Sequence, residues 1–294
     1  MPLSIGNPPS LPFCRNDHAG RAPLSGIMAG TQHNMNETNE TLEKMERVKD
    51  AIWECDSILI AFSGGVDSSV LAKLAEQSGA RVLAATASSE LLGSGGLAHA
   101  RSMADEIGIE LMVFKFGILD ERKFMENPRD RCYHCKRHLI SELQRIASEN
   151  RIGTIADGTN VTDIAGERPG YAAIREAGVF TPFVDFTLKK SEIREIARYF
   201  GLSVANAPSE SCFATRIPPG TEITIPRLSR IEKAESVLHA HGLCGVRVRD
   251  HDRLACIEVR SDDLMRFISV QEDVSAALQA IGFDRAVFSR FRDL

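Results

Sequence analysis

A short loop rich in glycine and serine constrains the fold of this chain more than any other segment. It reads SGGVDSS and covers residues 63–69. It follows the nearly continuous apolar run 57–62, which is typical of a parallel strand buried on both faces, and it precedes an amphipathic stretch that ends at Gly79. In this order, the backbone amides and the positive end of the helix dipole attract phosphate oxygens. The segment therefore predicts an anion-binding α/β domain.

Helical and strand patterns alternate along residues 41–218. The predicted strands cover residues 57–62, 81–86, 110–116 and 153–157, and the predicted helices cover residues 67–78, 96–107, 133–149 and 191–200, after a first helix that begins at Thr41. The alternation predicts a doubly wound, mostly parallel α/β sheet. After a Pro-Pro-Gly linker at 218–220, a helix, two extended segments and a last helix predict a smaller α+β domain over residues 219–294.

Composition narrows the class of protein. Residues 1–40 carry scattered Pro, Gly, Asn and Ser without an apolar period, so we interpret them as a disordered leader. The chain has 43% hydrophobic residues, 26% charged residues and a formal net charge of -5, which is ordinary for a globular protein and disfavours nucleic acid as a partner. With no secretory signal and no apolar run of about 18 residues, we expect a cytoplasmic protein without a membrane partner.

The side chains of the glycine-rich loop favour a bound nucleotide. Its serines add hydroxyl donors, and its glycines allow the backbone to approach a ligand closely. Asp67 alone would repel phosphate, so we expect a magnesium ion between this carboxylate and the phosphates and assign Asp67 a catalytic role. A turn that only caps a helix is the simpler alternative. The predicted nucleotide ligands in this loop are Ser63, Gly64, Gly65, Asp67, Ser68 and Ser69.

A second polar segment, Asp157-Gly158-Thr159-Asn160, stands at the end of the predicted strand 153–157. Open α/β sheets bind ligands at the carboxyl ends of their strands. We therefore predict that Gly158, Thr159 and Asn160 help to bind the nucleotide, although turn formation alone also favours these residue types.

Three cysteines are candidate functional residues because of their spacing. Cys132 and Cys135 form a CxxC pair at the start of a predicted helix, and Cys212 follows much later in the chain. The residues leave four interpretations open: a zinc site that needs a fourth ligand, a redox pair, an iron-sulfur cluster, or inert buried thiols. Three thiolates suit a cluster with one open iron.

Several segments together resemble known proteins. SGGVDS is similar to the PP-loop, the pyrophosphate-binding motif of ATP pyrophosphatases. Over residues 41–294 the chain resembles the LarE family, the ATP-dependent sulfur transferases of nickel-pincer nucleotide biosynthesis. The segments that carry this resemblance are 63–69, 127–136, 157–160, 167–170 and 212–218.

The resemblance implies a reaction. In this family, ATP adenylates the carboxylates of pyridinium-3,5-biscarboxylate mononucleotide, and sulfur then displaces AMP to give thiocarboxylates. A mixed anhydride with AMP makes a carboxylate open to attack, because it removes the negative charge and supplies a leaving group. The resemblance also implies a homo-oligomer.

The source of the sulfur differs within the family. Members with a single cysteine at the position of Cys212 give up its sulfur and are left with dehydroalanine. Members that also carry the CxxC pair resemble a second type, in which three cysteines hold a 4Fe-4S cluster with an extra sulfide. This chain has all three, so we favour Cys132, Cys135 and Cys212 as cluster ligands and Cys212 as catalytic.

Three arginines are candidates for binding the phosphate and carboxylates of the mononucleotide, since a guanidinium fork matches both groups. Arg216 lies close to Cys212 in sequence and matches the family pattern. Arg247 and Arg249 alternate around Val248, and a solvated face of an edge strand explains them equally well.

Other functions are compatible with parts of the sequence. Some tRNA 2-thiolation enzymes also combine a PP-loop with a CxxC pair and a third cysteine, but the net charge of -5 weighs against RNA. A non-catalytic ATP-binding module is a second alternative. An amidotransferase-type synthetase is a third, although no glutaminase-like domain is evident.

Overall fold

The computed structural model describes residues 30–166, 168–208 and 211–290. Residues 1–29 of the predicted leader and Glu167 of one family-like segment lie outside this range. The strands are β1 (Ser57–Ala61), β2 (Arg81–Ser88), β3 (Leu111–Lys115), β4 (Thr154–Ala156), β5 (Val246–His251), β6 (Leu254–Val259) and β7 (Arg285–Arg290). The α-helices are α1 (Gly30–Trp53), α2 (Val66–Ser78), α3 (Gly93–Ile107), α4 (Arg122–Met125), α5 (Arg131–Glu149), α6 (Pro169–Glu176), α7 (Pro182–Asp185), α8 (Lys190–Tyr199), α9 (Ile225–Ala240) and α10 (Leu264–Ile281).

Within the described residues, β1 to β4 form one parallel sheet of four strands in the order β3-β2-β1-β4. In β1, Ile60 pairs with Ala84 of β2 on one side and with Ala156 of β4 on the other. The strand order reverses at β1, so the loops that follow β1 and β4 open into the same crevice at the carboxyl edge of the sheet. This arrangement confirms the predicted α/β class with a parallel sheet.

The two faces of the parallel sheet pack into different cores. Ile58 and Ile60 of β1 belong to a core that α1, α2, α3 and α8 complete. Leu59, between them, belongs to a second core with residues of α5 and α9. Because successive side chains of a strand point to opposite faces, helices cover the sheet on both sides. The apolar run that predicted β1 is therefore buried on both faces.

The C-terminal part of the described chain forms a smaller sheet with the order β5-β6-β7. β5 and β6 pair antiparallel as a hairpin, whereas β7 pairs parallel to β6 after the crossover helix α10. This confirms the predicted small α+β unit. Its last strand was not predicted, because the sequence RAVFSR lacks a regular alternation of apolar and polar residues.

The first helix differs from its prediction. α1 begins at Gly30 and not at Thr41, so residues 30–40 of the predicted leader have helical backbone. These residues are polar and have no apolar period, and helix propagation from the packed segment that follows explains why the pattern did not reveal them. Among the described residues, no helix is long and apolar enough to cross a bilayer.

Candidate active site at the phosphate loop and the cysteine loop

The phosphate loop, residues 63–69, joins β1 to α2 and is fixed by its own hydroxyl groups. Ser69 Oγ donates to the carbonyl oxygen of Gly64 at 3.2 Å, and Ser68 Oγ donates to that of Gly65 at 3.1 Å. The Ser63 and Ser68 hydroxyls lie 3.1 Å apart. These bonds hold the loop in one conformation, with its amides at the start of α2. The serines predicted as phosphate donors thus also shape the loop.

Gly64 is required here for two reasons. Its φ of +76° is in the left-handed region, and a Cβ on it would lie 2.9 Å from the Cα of Ala100 in α3. Nε2 of His99, on the same helix, is within hydrogen-bond distance of the Gly64 carbonyl oxygen, at 3.1 Å. α3 therefore packs directly on the phosphate loop.

Asp67 is paired within the protein. Its Oδ2 forms an ion pair with Nζ of Lys190, at the start of α8, and its Oδ1 accepts a hydrogen bond of 3.1 Å from Asn160 Nδ2. Burial raises the pKa of Asp67 above its ordinary value, and the Lys190 charge opposes that effect. Lys190 supplies the positive charge that the sequence argument assigned to magnesium, so the charge of Asp67 does not by itself require a metal ion.

The loop after β4 lies against the phosphate loop. A Cβ on Gly158 would lie 3.0 Å from the carbonyl carbon of Asp67, so the two backbones are in contact. Asn160 is fully buried and connects the two segments through Asp67. Thr159 donates its backbone N–H to Asp157 Oδ1 at 2.9 Å, which closes the turn.

Lys136 connects this loop to the CxxC pair. Its Nζ donates to Asp157 Oδ2 at 2.9 Å, and it follows Cys135 directly in α5. Burial alone would raise the pKa of Asp157, but the Lys136 charge and the bonds from Thr159 outweigh it, and the pKa lies below its ordinary value. The carboxylate is therefore ionised at neutral pH and paired with the ammonium group.

Two of the three predicted cysteines, Cys135 and Cys212, pack against the same hydrophobic core. Cys132 and Cys135 lie in the first turn of α5, and Cys212 directly precedes a 3₁₀ helix over Phe213–Arg216. All three are free thiols. The pKa of Cys135 is raised to about 12, chiefly by burial, and the charges of Cys212 and Cys132 add to this rise.

The thiol set suits an iron-sulfur cluster in kind, because such clusters are held by cysteine thiolates. In the ranges that the structure describes, however, no group of three or more His, Cys, Asp or Glu side chains is placed to hold a metal ion. Burial raises the pKa of Cys135 and of Cys212 and so favours their neutral thiol forms. The three cysteines thus have the chemistry of cluster ligands, but their side chains are not arranged as a metal site.

The cysteine loop, residues 211–216, lies beside the segment that carries α3. The backbone N–H of Phe213 donates to the Leu91 carbonyl oxygen at 2.9 Å. A Cβ on Gly93 would lie 2.8 Å from the Phe213 ring. Since His99 of α3 also reaches Gly64, one helix and its approach segment contact both the phosphate loop and the cysteine loop.

Of the three predicted substrate arginines, Arg216 belongs to the cysteine loop and Arg249 contacts it. Arg216 is buried and pairs with Glu235 of α9, from Nε to Oε1 at 2.9 Å. Arg249 pairs with Glu258 and donates Nη1 to the Thr215 carbonyl oxygen at 3.1 Å. Burial lowers the pKa of Arg247, and the charges of Arg216 and Arg249 lower it further, while the carboxylates of Glu258 and Glu235 oppose this effect.

Several residues of the site escaped the sequence reasoning. Lys190 pairs with Asp67, and Glu235 pairs with Arg216, yet each lies in a different element from its partner. His99 contacts the phosphate loop from α3. Lys136 alone carried a signal, since it ends the family-like segment 127–136. The other contacts arise only when the chain folds.

Comparisons with known proteins agree with this geometry. No family model matches the chain. The chain is 30% identical over 235 residues to the pyridinium-3,5-bisthiocarboxylic acid mononucleotide synthase of Lactiplantibacillus plantarum. The aligned region covers 79% of this chain and 85% of that protein. It is 35% identical over 233 residues to an uncharacterized protein of Synechocystis sp., covering 79% of this chain and 86% of the relative.

A tRNA-specific 2-thiouridylase MnmA of Sphingopyxis alaskensis is a more distant relative, 27% identical over 230 residues, with 63% of this chain and 58% of that protein covered. The match to the mononucleotide synthase extends over most of both chains and includes the phosphate loop and the cysteine region. The chain therefore belongs to the LarE family of PP-loop proteins.

Proposed function

We propose that this protein is an ATP-dependent sulfur transferase that converts the carboxylates of pyridinium-3,5-biscarboxylate mononucleotide to thiocarboxylates, with release of AMP and pyrophosphate. One observation carries the proposal. The start of α5, which carries Cys135, is connected to the phosphate loop, because Lys136 reaches Asp157 and the loop after β4 lies on the phosphate loop. The L. plantarum relative, named as a synthase of the bisthiocarboxylic product, supports the substrate.

The first step is adenylation. A substrate carboxylate oxygen attacks the α-phosphorus of MgATP, the bond to the β-phosphate breaks, and pyrophosphate leaves. The amides at the start of α2 and the glycines of the phosphate loop bind phosphate oxygens. Lys190, held beside the loop by Asp67, adds a positive charge that stabilises the leaving pyrophosphate. Asn160, fixed between the two loops, keeps Asp67 in place.

The second step is sulfur transfer. A sulfide attacks the acyl carbon of the mixed anhydride, the bond from this carbon to the AMP oxygen breaks, and AMP leaves with the electron pair. We propose that Cys132, Cys135 and Cys212 hold a 4Fe-4S cluster, which supplies an extra sulfide when it is bound. The alternative is that the Cys212 sulfur itself is transferred. Either route uses the same adenylate.

Arg247 and Arg249 support an anionic mononucleotide as the substrate, whereas the buried Arg216 has its donors engaged by Glu235 and by the cysteine loop. The side chains of Arg247 and Arg249 are partly exposed, and Arg249 donates to the Thr215 carbonyl oxygen of the cysteine loop. Guanidinium groups recognise phosphate and carboxylate in the same way. In a chain whose formal net charge is -5, two arginines favour a small anion over a long polyanion.

Reconstitution tests the proposal. Anaerobically prepared protein receives ATP, magnesium, sulfide and the biscarboxylate mononucleotide, and pyrophosphate and thiocarboxylate are measured by mass spectrometry. We expect both products from the parent protein and no thiocarboxylate from Cys212→Ser, whereas Cys55→Ser, a free thiol that donates to Ala51 in α1, retains activity. Absence of thiolated product from the parent would refute the substrate. Loss of the sulfur atom from Cys212 would show that Cys212 itself is the sulfur donor and would contradict the cluster route.

The thiouridylase relative favours tRNA 2-thiolation as a second candidate. Co-purification of tRNA with the protein, and its thiolation in the same assay, would support this candidate against the mononucleotide.

The family resemblance also supports a homo-oligomer in the cytoplasm. Size-exclusion chromatography with light scattering measures the number of subunits, and a monomer at micromolar concentration would contradict that part of the proposal.

A further inference from the structure

Glu235 of α9 is a buried carboxylate beside the cysteine loop. It has 5% of its surface exposed. Its Oε1 accepts from Arg216 Nε at 2.9 Å and from the backbone N–H of Val248 in β5 at 2.9 Å, and its Oε2 lies 3.3 Å from Arg216 Nη2. Both carboxylate oxygens are thus engaged by groups from two other elements.

Stability alone is a weak explanation for this ion pair. Removing two charges from water is costly, and apolar side chains of similar size in such places often give equal or greater stability. The ion pair instead fixes the orientation of the Arg216 guanidinium group. A guanidinium group whose fork is held by a buried carboxylate can rotate little, so its remaining donors point in fixed directions.

The remaining donors of Arg216 reach the residues on both sides of Cys212. Arg216 Nη1 donates to the Ser211 carbonyl oxygen at 2.9 Å and to Thr215 Oγ1 at 3.0 Å. Thr215 Oγ1 donates in turn to the Cys212 carbonyl oxygen at 2.8 Å. Glu235 is therefore connected to the backbone of Cys212 through the side chains of Arg216 and Thr215.

We propose that Glu235 is a positioning residue that holds Cys212 for sulfur transfer through Arg216 and takes no part in adenylation. This inference rests on the proposed function and adds to it a residue that sets the second step apart from the first. Glu235 contacts neither the phosphate loop nor a cysteine directly. Its loss therefore uncouples pyrophosphate release from thiocarboxylate formation.

The chain contains a matched control for a purely structural effect. Asp250 of β5 is fully buried and also joins β5 to α9, because it accepts from Arg227 at 2.8 Å and from Arg230 at 2.6 Å. None of these residues contacts the cysteine loop through a hydrogen bond found in the described part of the chain. Neutralising either buried carboxylate weakens the same contact between α9 and β5, but only Glu235 is connected to Cys212 by hydrogen bonds.

The experiment compares Glu235→Gln and Asp250→Asn in the full chain. Pyrophosphate release, thiocarboxylate formation and thermal unfolding are measured, together with the iodoacetamide alkylation rate of Cys212 in protein without a cluster, read by peptide mass spectrometry. For Glu235→Gln we expect pyrophosphate release close to that of the parent, while thiocarboxylate formation falls about 10- to 100-fold, the cost of a misplaced reacting group. We also expect faster alkylation of Cys212. Asp250→Asn lowers the unfolding temperature but keeps the ratio of the two products and the alkylation rate.

Other outcomes overturn the inference. If Glu235→Gln lowers both half-reactions equally and leaves Cys212 alkylation unchanged, as a structural role would, Glu235 only fastens α9 to β5. If Glu235→Gln does not fold, Thr215→Val replaces it, since valine keeps the shape of the side chain but removes the hydroxyl that donates to the Cys212 carbonyl oxygen, and the same uncoupling is expected. If the parent itself forms no thiocarboxylate, the proposed function has failed. The alkylation comparison then still decides whether Glu235 positions Cys212.

Discussion

At the scale of single residues, Gly158 brings the loop after β4 into contact with the phosphate loop. A Cβ at this position would lie 3.0 Å from the Asp67 carbonyl carbon and 3.1 Å from the Ser68 nitrogen. Gly158→Ala must therefore displace the phosphate loop, and we expect a loss of about 1–3 kcal/mol in unfolding free energy. We expect pyrophosphate release to fall about 100-fold, since a shift of about 1 Å has that effect.

Gly153, which precedes β4, provides the control for this substitution. A Cβ there meets no atom within 4 Å. Gly153→Ala should leave pyrophosphate release unchanged in the reconstitution assay, and urea unfolding should show little change. Equal activities of the two alanine variants would show that the contact of Gly158 with the phosphate loop is unimportant.

Lys190 offers a second test at the residue scale. Lys190→Met removes the ammonium group that pairs with Asp67 and leaves a largely enclosed carboxylate with Asn160 alone. We expect a cost of about 1–3 kcal/mol in urea unfolding, the usual penalty for a buried polar group that loses its partner, and a clear fall in pyrophosphate release. Lys73→Met breaks the Lys73–Glu76 pair on the outer surface of α2 and should cost less than about 0.5 kcal/mol. A Lys190→Met variant as stable and active as Lys73→Met would contradict the role of the Asp67 pair.

The sequence could predict a residue of the site only where a motif of neighbouring residues marks it. The phosphate loop and the segment 157–160 were found because each motif is contiguous and stands at a strand end. Lys190 lies 123 positions from Asp67 along the chain, and no local pattern relates the two. The sequence therefore could not reveal that Asp67 has a lysine partner.

At the scale of elements, burial decided what could be predicted. β1 was predicted because helices cover both of its faces, which leaves a continuous apolar run. β7 lies at the edge of its sheet and exposes Val287 and Phe288, so its pattern is irregular. The first part of α1 lacks an apolar face, whereas Ile52 near its end gave a clear helical period.

α1 provides the test of this interpretation. Ile52 is fully buried in the core shared with α2 and α8, whereas Trp53 next to it is 65% exposed. Ile52→Ala should lower the free energy of unfolding by about 2–5 kcal/mol, because it leaves a cavity. Trp53→Ala should change it by less than about 0.5 kcal/mol. Urea titration followed by circular dichroism measures both, and similar losses would show that α1 does not pack as described.

At the scale of the whole molecule, α9 belongs to two cores. Leu228 and Ile231 in its first half complete the core beneath the parallel sheet. Ala234 and Leu238 in its second half belong to the core of the small C-terminal sheet. The predicted boundary at residues 218 and 219 thus separates the parallel sheet from a helix that fills one of its cores. A composition change marks the linker, but it cannot show which core a following helix completes.

A shared helix makes the two units unfold together. Leu228 and Leu238 are almost fully buried in the same helix but in different cores. Leu228→Ala and Leu238→Ala should each cost about 2–5 kcal/mol. If α9 couples the cores, calorimetry shows one transition in the parent, and each variant lowers its midpoint by about 2–4 °C for each kcal/mol lost. If the units were independent, two transitions would appear, with Leu228→Ala lowering one and Leu238→Ala the other. Because Glu235 lies on α9 between these two leucines, a single transition would also mean that the cysteine loop is held by an element that melts only with the whole protein.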